Sequence, residues 1–170
     1  MTDSYELKRI SKESIPAALQ KAERYRIIND PSSAESICLD VLEVDSGNQE
    51  ALITLLLAIT DQLVEGPAEG ARRAQGLLPR LGDEYKRMYY AGIIAERCAK
   101  AHLRRGAMGS GEVAYHWFRE AMEWYEKAES MRPSGNDEAI LRWNTCARVL
   151  ASDDHLRPRP VEQYEPVLED

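Results

Sequence analysis

The sequence predicts an all-α chain of about seven helices, arranged as antiparallel helix–turn–helix pairs. Three observations carry that expectation. Apolar residues recur three and four apart, the spacing of one helix face, and β-branched residues never alternate with polar ones over a useful length. Pro and Gly gather at intervals, at Asp30-Pro31, Ser46-Gly47-Asn48, Glu65-Gly66-Pro67, Leu81-Gly82-Asp83, Gly106 to Gly111 and Pro133-Ser134-Gly135. These joints divide the chain into helical segments. One joint also repeats: Ser46-Gly47-Asn48-Gln49-Glu50-Ala51-Leu52 returns as Ser134-Gly135-Asn136-Asp137-Glu138-Ala139-Ile140.

Taken in order, residues 1–13 form a lead. Its stretch from Met1 to Ser11 is polar and mixed in charge, unlike a secretory signal. The helices are expected over Ser14–Ile28, Ser32–Val44, Gln49–Val64, Ala68–Arg80, Glu84–Arg105, Glu112–Met131 and Asp137–Ala151. Asn48 and Asn136 are placed to cap the helices that follow them, and Asp83 to accept from the first amides of the longest pattern. Short connections make consecutive helices antiparallel. Residues 152–170 read as a tail. Pro158, Pro160 and Pro166 disfavour a regular helix there, and Val161, Tyr164, Val167 and Leu168 suit an extended strap.

The helical patterns share small and bulky positions that let two helices approach closely. Ala34, Cys38, Val41 and Leu42 precede the first copy of the repeated joint; Ala121, Tyr125, Ala128 and Pro133 precede the second. Ala121-x3-Tyr125-x2-Ala128-x4-Pro133 resembles the second-helix signature of a tetratricopeptide repeat. Ala22-x2-Tyr25 followed by Ala34 is similar to the small–aromatic–small core of another unit, and Ala91-Gly92 to the close-contact pair of a first helix. Ala71, Gln75 and Leu78 keep the spacing without the aromatic. The resemblance covers residues 15–151. It implies a right-handed superhelix of antiparallel helix pairs, a TPR-like α-solenoid, over residues 14–151. A plain unit spans about 34 residues; the third runs from Tyr85 to past Pro133. Two helices, each about two turns longer and joined through Gly106–Gly111, account for the excess. The last helix has no partner after it and is expected to cap the stack.

The composition excludes several functions. Charged residues make up 30% of the chain and the net charge is −7, which argues against a general nucleic-acid surface. No run reaches the ~18–20 apolar residues of a membrane span. Cys38, Cys98 and Cys146 are odd in number and widely spaced, which fits a reducing cytoplasm better than a disulfide framework. Gly106-Ala107-Met108-Gly109-Ser110-Gly111 lacks the lysine and preceding strand of a phosphate cradle and reads as a loop. Cys98 and His102 share a helical face, but Cys146, His116 and His155 complete no metal motif. Glu112, Glu120, Glu123 and Glu126 share a side with Arg119 and Lys127, the pattern of a solvated face with a Glu123–Lys127 ion pair. No catalytic residue, cofactor or metal is expected.

Binding is the expected role, because such stacks present concave surfaces. The repeat spacing aims Leu19, Glu23, Arg26, Ile53, Leu57, Asp61, Tyr89, Ile93 and Arg97 at an inner groove. Either they receive an amphipathic helix or extended peptide, or they fill the core of a short, tight stack. The family's best-known groove grips a terminal carboxylate with Lys, Arg and Asn; mainly Leu, Ile, Tyr and Glu at these positions speak against that mode. Val113, Trp117, Trp124 and Met131 form a second apolar stripe, covered by the preceding helix, by the tail or by a second copy of the chain. The leading expectation is an adaptor or scaffold for a protein or peptide partner, with no nucleic acid and no membrane. The alternatives are a metal- or carboxylate-dependent enzyme and a structural module that associates with itself as a homodimer.

Overall fold

The computed structural model describes residues 5–158. It contains seven α-helices and no strand among those residues. After a 3-10 turn over Lys12–Ser14 come α1 (Ile15–Ile27), α2 (Pro31–Val44), α3 (Gln49–Asp61) and α4 (Pro67–Gln75). A second 3-10 turn over Leu78–Arg80 leads to α5 (Glu84–Arg105), α6 (Ser110–Ser130) and α7 (Glu138–Ser152).

Two helices end earlier than their apolar pattern. The fourth was expected to reach Arg80 but stops at Gln75. Gly76 follows, and Pro79 has no N–H to donate to a continued helix. The third was expected to reach Val64 but ends at Asp61, because the chain turns over residues 62–66 to enter Pro67. Asn48 and Asp83 cap their helices as expected, and Asp30, not foreseen as a cap, does the same for α2. Asp30 accepts from the Ser33 amide at 3.2 Å, Asn48 from Ala51 at 2.9 Å and Asp83 from Lys86 at 3.1 Å. The seventh start differs. Its flanking residue is Asp137, which makes no side-chain cap bond. Asn136 instead accepts from the Glu138 amide at 3.1 Å and from the Tyr85 hydroxyl at 3.3 Å, tying this turn to α5.

Each helix packs on the next, and α3 also contacts α1 and α5. The apolar faces gather into two clusters. One joins α1 to α4 with Ile94, Cys98 and Ala101 of α5; the other joins the rest of α5 to α6 and α7. Tyr90, Trp117 and Leu57 pack against both. Of the residues expected at helix crossings, Ala22, Ala34, Cys38, Val41, Ala121, Tyr125 and Ala128 are fully buried and Leu42 is 9% exposed, whereas Tyr25 is half-buried and Pro133 exposed. Gly92 shows why a small residue is needed. A Cβ there would sit 2.4 Å from Tyr125 Cε1.

The third pair is stretched as expected. Its helices have 22 and 21 residues, against 13 and 14 in the first pair. Gly106, at φ 62°, ends α5 in the left-handed region that a side chain disfavours. Beyond α7 the chain turns back. The His155 carbonyl approaches Gly111 so closely that a Cβ there would lie 2.6 Å from it, and Leu156 enters the second cluster, 1% exposed. No helix among the described residues is long and apolar enough to cross a membrane.

Candidate functional site

Eight of the 13 residues of α3 are buried, and its C-terminal end opens onto a cleft. It stops at Asp61 while α5, beside it, runs on to Arg105. The space past the end of α3 is a cleft of about 410 Å³. Arg26 reaches it from α1, Arg97, Lys100 and Arg104 from α5, and Arg142 from α7. The nine residues aimed at a groove by sequence divide across this geometry. Arg26, Asp61 and Arg97 come together at the cleft, and Glu23 pairs with Arg26 behind it. Ile53 and Leu57 are half-buried against the first cluster, and Tyr89 is half-buried against the second. Leu19 and Ile93 are core, 3% and 2% exposed, because α1 and α5 turn these positions into their neighbours. None of the five apolar and aromatic residues lines the cleft, which is bounded mainly by charged side chains.

Two carboxylates organise the cations. Asp61 accepts from Arg26 Nε at 2.9 Å and from Arg97 Nη1 at 2.7 Å. Arg97 Nη1 also donates to the Leu57 carbonyl at 2.9 Å and to Thr60 Oγ1 at 2.6 Å, which anchors it to the last turn of α3. Burial holds the Arg97 guanidinium below its ordinary pKa, with Asp61 opposing that shift. Glu96 is the second organiser and is 1% exposed. It accepts from the Tyr125 hydroxyl at 2.7 Å, from Lys100, and from Arg142 at 3.4 Å. A buried carboxylate persists only with such partners. Burial, then Glu96, pushes the Tyr125 phenol well up, so it stays a neutral donor. Burial alone would lower Arg142, but Glu96 and the Tyr125 and Tyr89 hydroxyls outweigh it and its pKa is raised.

Glu96, Lys100, Arg104 and Arg142 were not among the residues aimed at the groove. The signal was present: Glu96 and Lys100 are four apart, and Arg97, Lys100 and Arg104 follow at spacings of three and four. Repeat spacing taken from shorter helices did not reach into the extension of α5. Treating α7 as a cap hid Arg142.

Elsewhere the candidate chemistry disperses. Cys98 and His102 line a second cleft, of about 360 Å³, with Trp117 and Arg105. No three His, Cys, Asp or Glu side chains are grouped to hold a metal among the described residues. Burial pushes Cys38, Cys98 and Cys146 up to about 12. On α6, Lys127 lies over the Trp124 ring at 4.2 Å, and Glu126 accepts from Trp143 of α7 at 3.0 Å. Of the apolar stripe, Val113 and Met131 are exposed and Trp117 and Trp124 are half-buried, Trp117 against both clusters. Pro160, Val161, Tyr164, Pro166, Val167 and Leu168, expected as a strap, lie outside the described residues. Within them, Leu156 packs on the second cluster.

Neither a family model nor a curated protein nor a solved structure matches the chain.

Proposed function

We propose that this chain is an adaptor whose inner cleft binds an anionic segment of a partner protein. The observation that carries the reading is the charge of the cleft. Five cations converge on it in a chain of net charge −7. A concave site with a net positive charge within a molecule of net negative charge focuses its field on anionic ligands. In this reading α1, α3 and α5 are the inner helices of a right-handed, tetratricopeptide-like stack, and α7 closes it. Buried small residues at the crossings and contacts of α3 with both α1 and α5 support that arrangement. Binding rather than catalysis is the role, and the cytoplasm is the setting that three buried, high-pKa thiols suit.

Fluorescence anisotropy of a labelled glutamate-rich peptide tests it, with a lysine-rich peptide as control. The glutamate peptide is expected to bind, and to weaken as salt rises. The double substitution K100E/R104E is expected to cost at least about tenfold, or ~1.4 kcal/mol. Equal binding of the two peptides, or no effect of the double substitution, overturns the reading.

A further inference from the structure

The charges of the cleft do not balance. Asp61 is shared by Arg26 and Arg97, and Glu96 by Lys100 and Arg142. Glu23, which does not line the cleft, adds a third carboxylate 3.3 Å from Arg26. Arg104 is exposed and has no carboxylate partner among the described residues. Five cations thus face three carboxylates, which leaves two positive charges without a counter-charge among the described residues. The donors are not used up either. The three hydrogen bonds that fix Arg97 all leave from Nη1. No buried side-chain nitrogen or oxygen lacks a partner among the described residues, so the remaining Arg97 donors open to solvent.

A single carboxylate supplies one negative charge. A phosphoryl group carries about −1.5 to −2 at neutral pH and presents three strong acceptor oxygens. Planar guanidinium forks match those oxygens in pairs. A cleft of about 410 Å³ has room for one such group on a side chain. We propose that the cleft takes a phosphoryl dianion, presented on a serine or threonine of the partner segment, with Arg97, Lys100, Arg104 and Arg142 as its donors. This rests on the reading of the cleft as the anion-binding site of an adaptor.

The test uses the full chain and three labelled peptides alike except at one central residue: phosphoserine, glutamate or serine. The phosphoserine peptide is expected to bind about tenfold more tightly than the glutamate peptide at pH 7.5. That advantage should shrink as pH falls through the second phosphate ionisation near ~6, while glutamate binding stays level. The charged groups lining the cleft are Arg26, Asp61, Arg97, Lys100, Arg104 and Arg142, with Glu96 buried behind Lys100 and Arg142 and Glu23 beside Arg26; no histidine lines the cleft. Arg104→Ala removes a cation that bonds no other side chain among the described residues and is expected to weaken the phosphoserine peptide about tenfold, with at most a small shift of the urea midpoint from the lost helix-dipole interaction. Glutamate binding equal to phosphoserine overturns the phosphoryl assignment and leaves the adaptor reading standing. Binding of neither peptide overturns both. Inorganic phosphate that competes as well as the phosphoserine peptide overturns the partner side chain as its source.

Discussion

Substituting Gly92 with alanine tests the contact on which the third helix pair and the cleft both depend. The added Cβ would lie 2.4, 2.6 and 2.9 Å from Cε1, Cδ1 and Cζ of Tyr125. The obstacle is a rigid, fully buried ring, not the end of a flexible chain. Overpacking of this kind costs about 1–3 kcal/mol. If the ring shifts, its hydroxyl leaves Glu96, now at 2.7 Å, and a hydrogen bond to a charged acceptor is worth about 1.5–3 kcal/mol. Alanine returns ~1 kcal/mol through its better helix propensity. The balance is a loss of roughly 2–4 kcal/mol, set mainly by the steric and hydrogen-bond terms. At about 2–4 °C per kcal/mol for a chain of this size, the thermal midpoint falls by ~5–15 °C. Urea unfolding followed by far-UV circular dichroism gives the free energy, and near-UV circular dichroism reports the aromatic packing. Tyr125→Phe removes the hydroxyl alone and is expected to cost less. A Gly92→Ala chain as stable as the parent refutes the reasoning, because the ring would then have room that the geometry denies it.

Glu96→Gln leaves Lys100 and Arg142 without their shared counter-charge; since both are partly exposed, the expected loss is about 1–3 kcal/mol by urea unfolding, below the 3–5 of a fully buried pair. Leu156→Ala opens the second cluster and should cost about 2–5 kcal/mol by urea unfolding. Truncation after Asp154 should match it, whereas no change in stability or in mass by light scattering makes everything past α7 an appendage. The three thiols, buried and pushed up to about 12, should resist a thiol-specific disulfide reagent at pH 8 in the native chain and react together in urea.

Helix number, order and the small crossing residues were legible because they follow from local rules: apolar spacing, Pro and Gly joints, and side-chain caps at Asn48 and Asp83. The misjudged ends at α3 and α4 share a cause. Apolar residues such as Leu63 and Leu77 continue the periodic pattern past the helix, yet they are buried from turns, not from helical positions. Leu19 and Ile93 were assigned to a groove by family spacing but are core, since spacing gives the face of a helix and not the closeness of its neighbour. Arg142 and Glu96 meet across 46 positions of sequence, a juxtaposition that no local pattern encodes.

The cleft is a consequence of one length mismatch. Counted from their first residues, α3 has 13 residues and α5 has 22, so α5 outruns its neighbour by nine, about 13 Å of helix. Arg97 is the fourteenth residue of α5, and it bonds the last turn of α3 at Leu57, Thr60 and Asp61. Everything past it, Lys100 and Arg104 included, has no α3 alongside. A helix face left without a neighbour needs polar residues or a partner, and this one carries cations at spacings of three and four toward the end of α5. Cations near a helix C-terminus are stabilised by its dipole, so the extension tolerates them without an external ligand. The same placement keeps them apart from the carboxylates of α1 and α3 and leaves the charge excess beyond the end of α3. Lengthening α5 without lengthening α3 is thus enough to turn a closed helix stack into one with a charged opening.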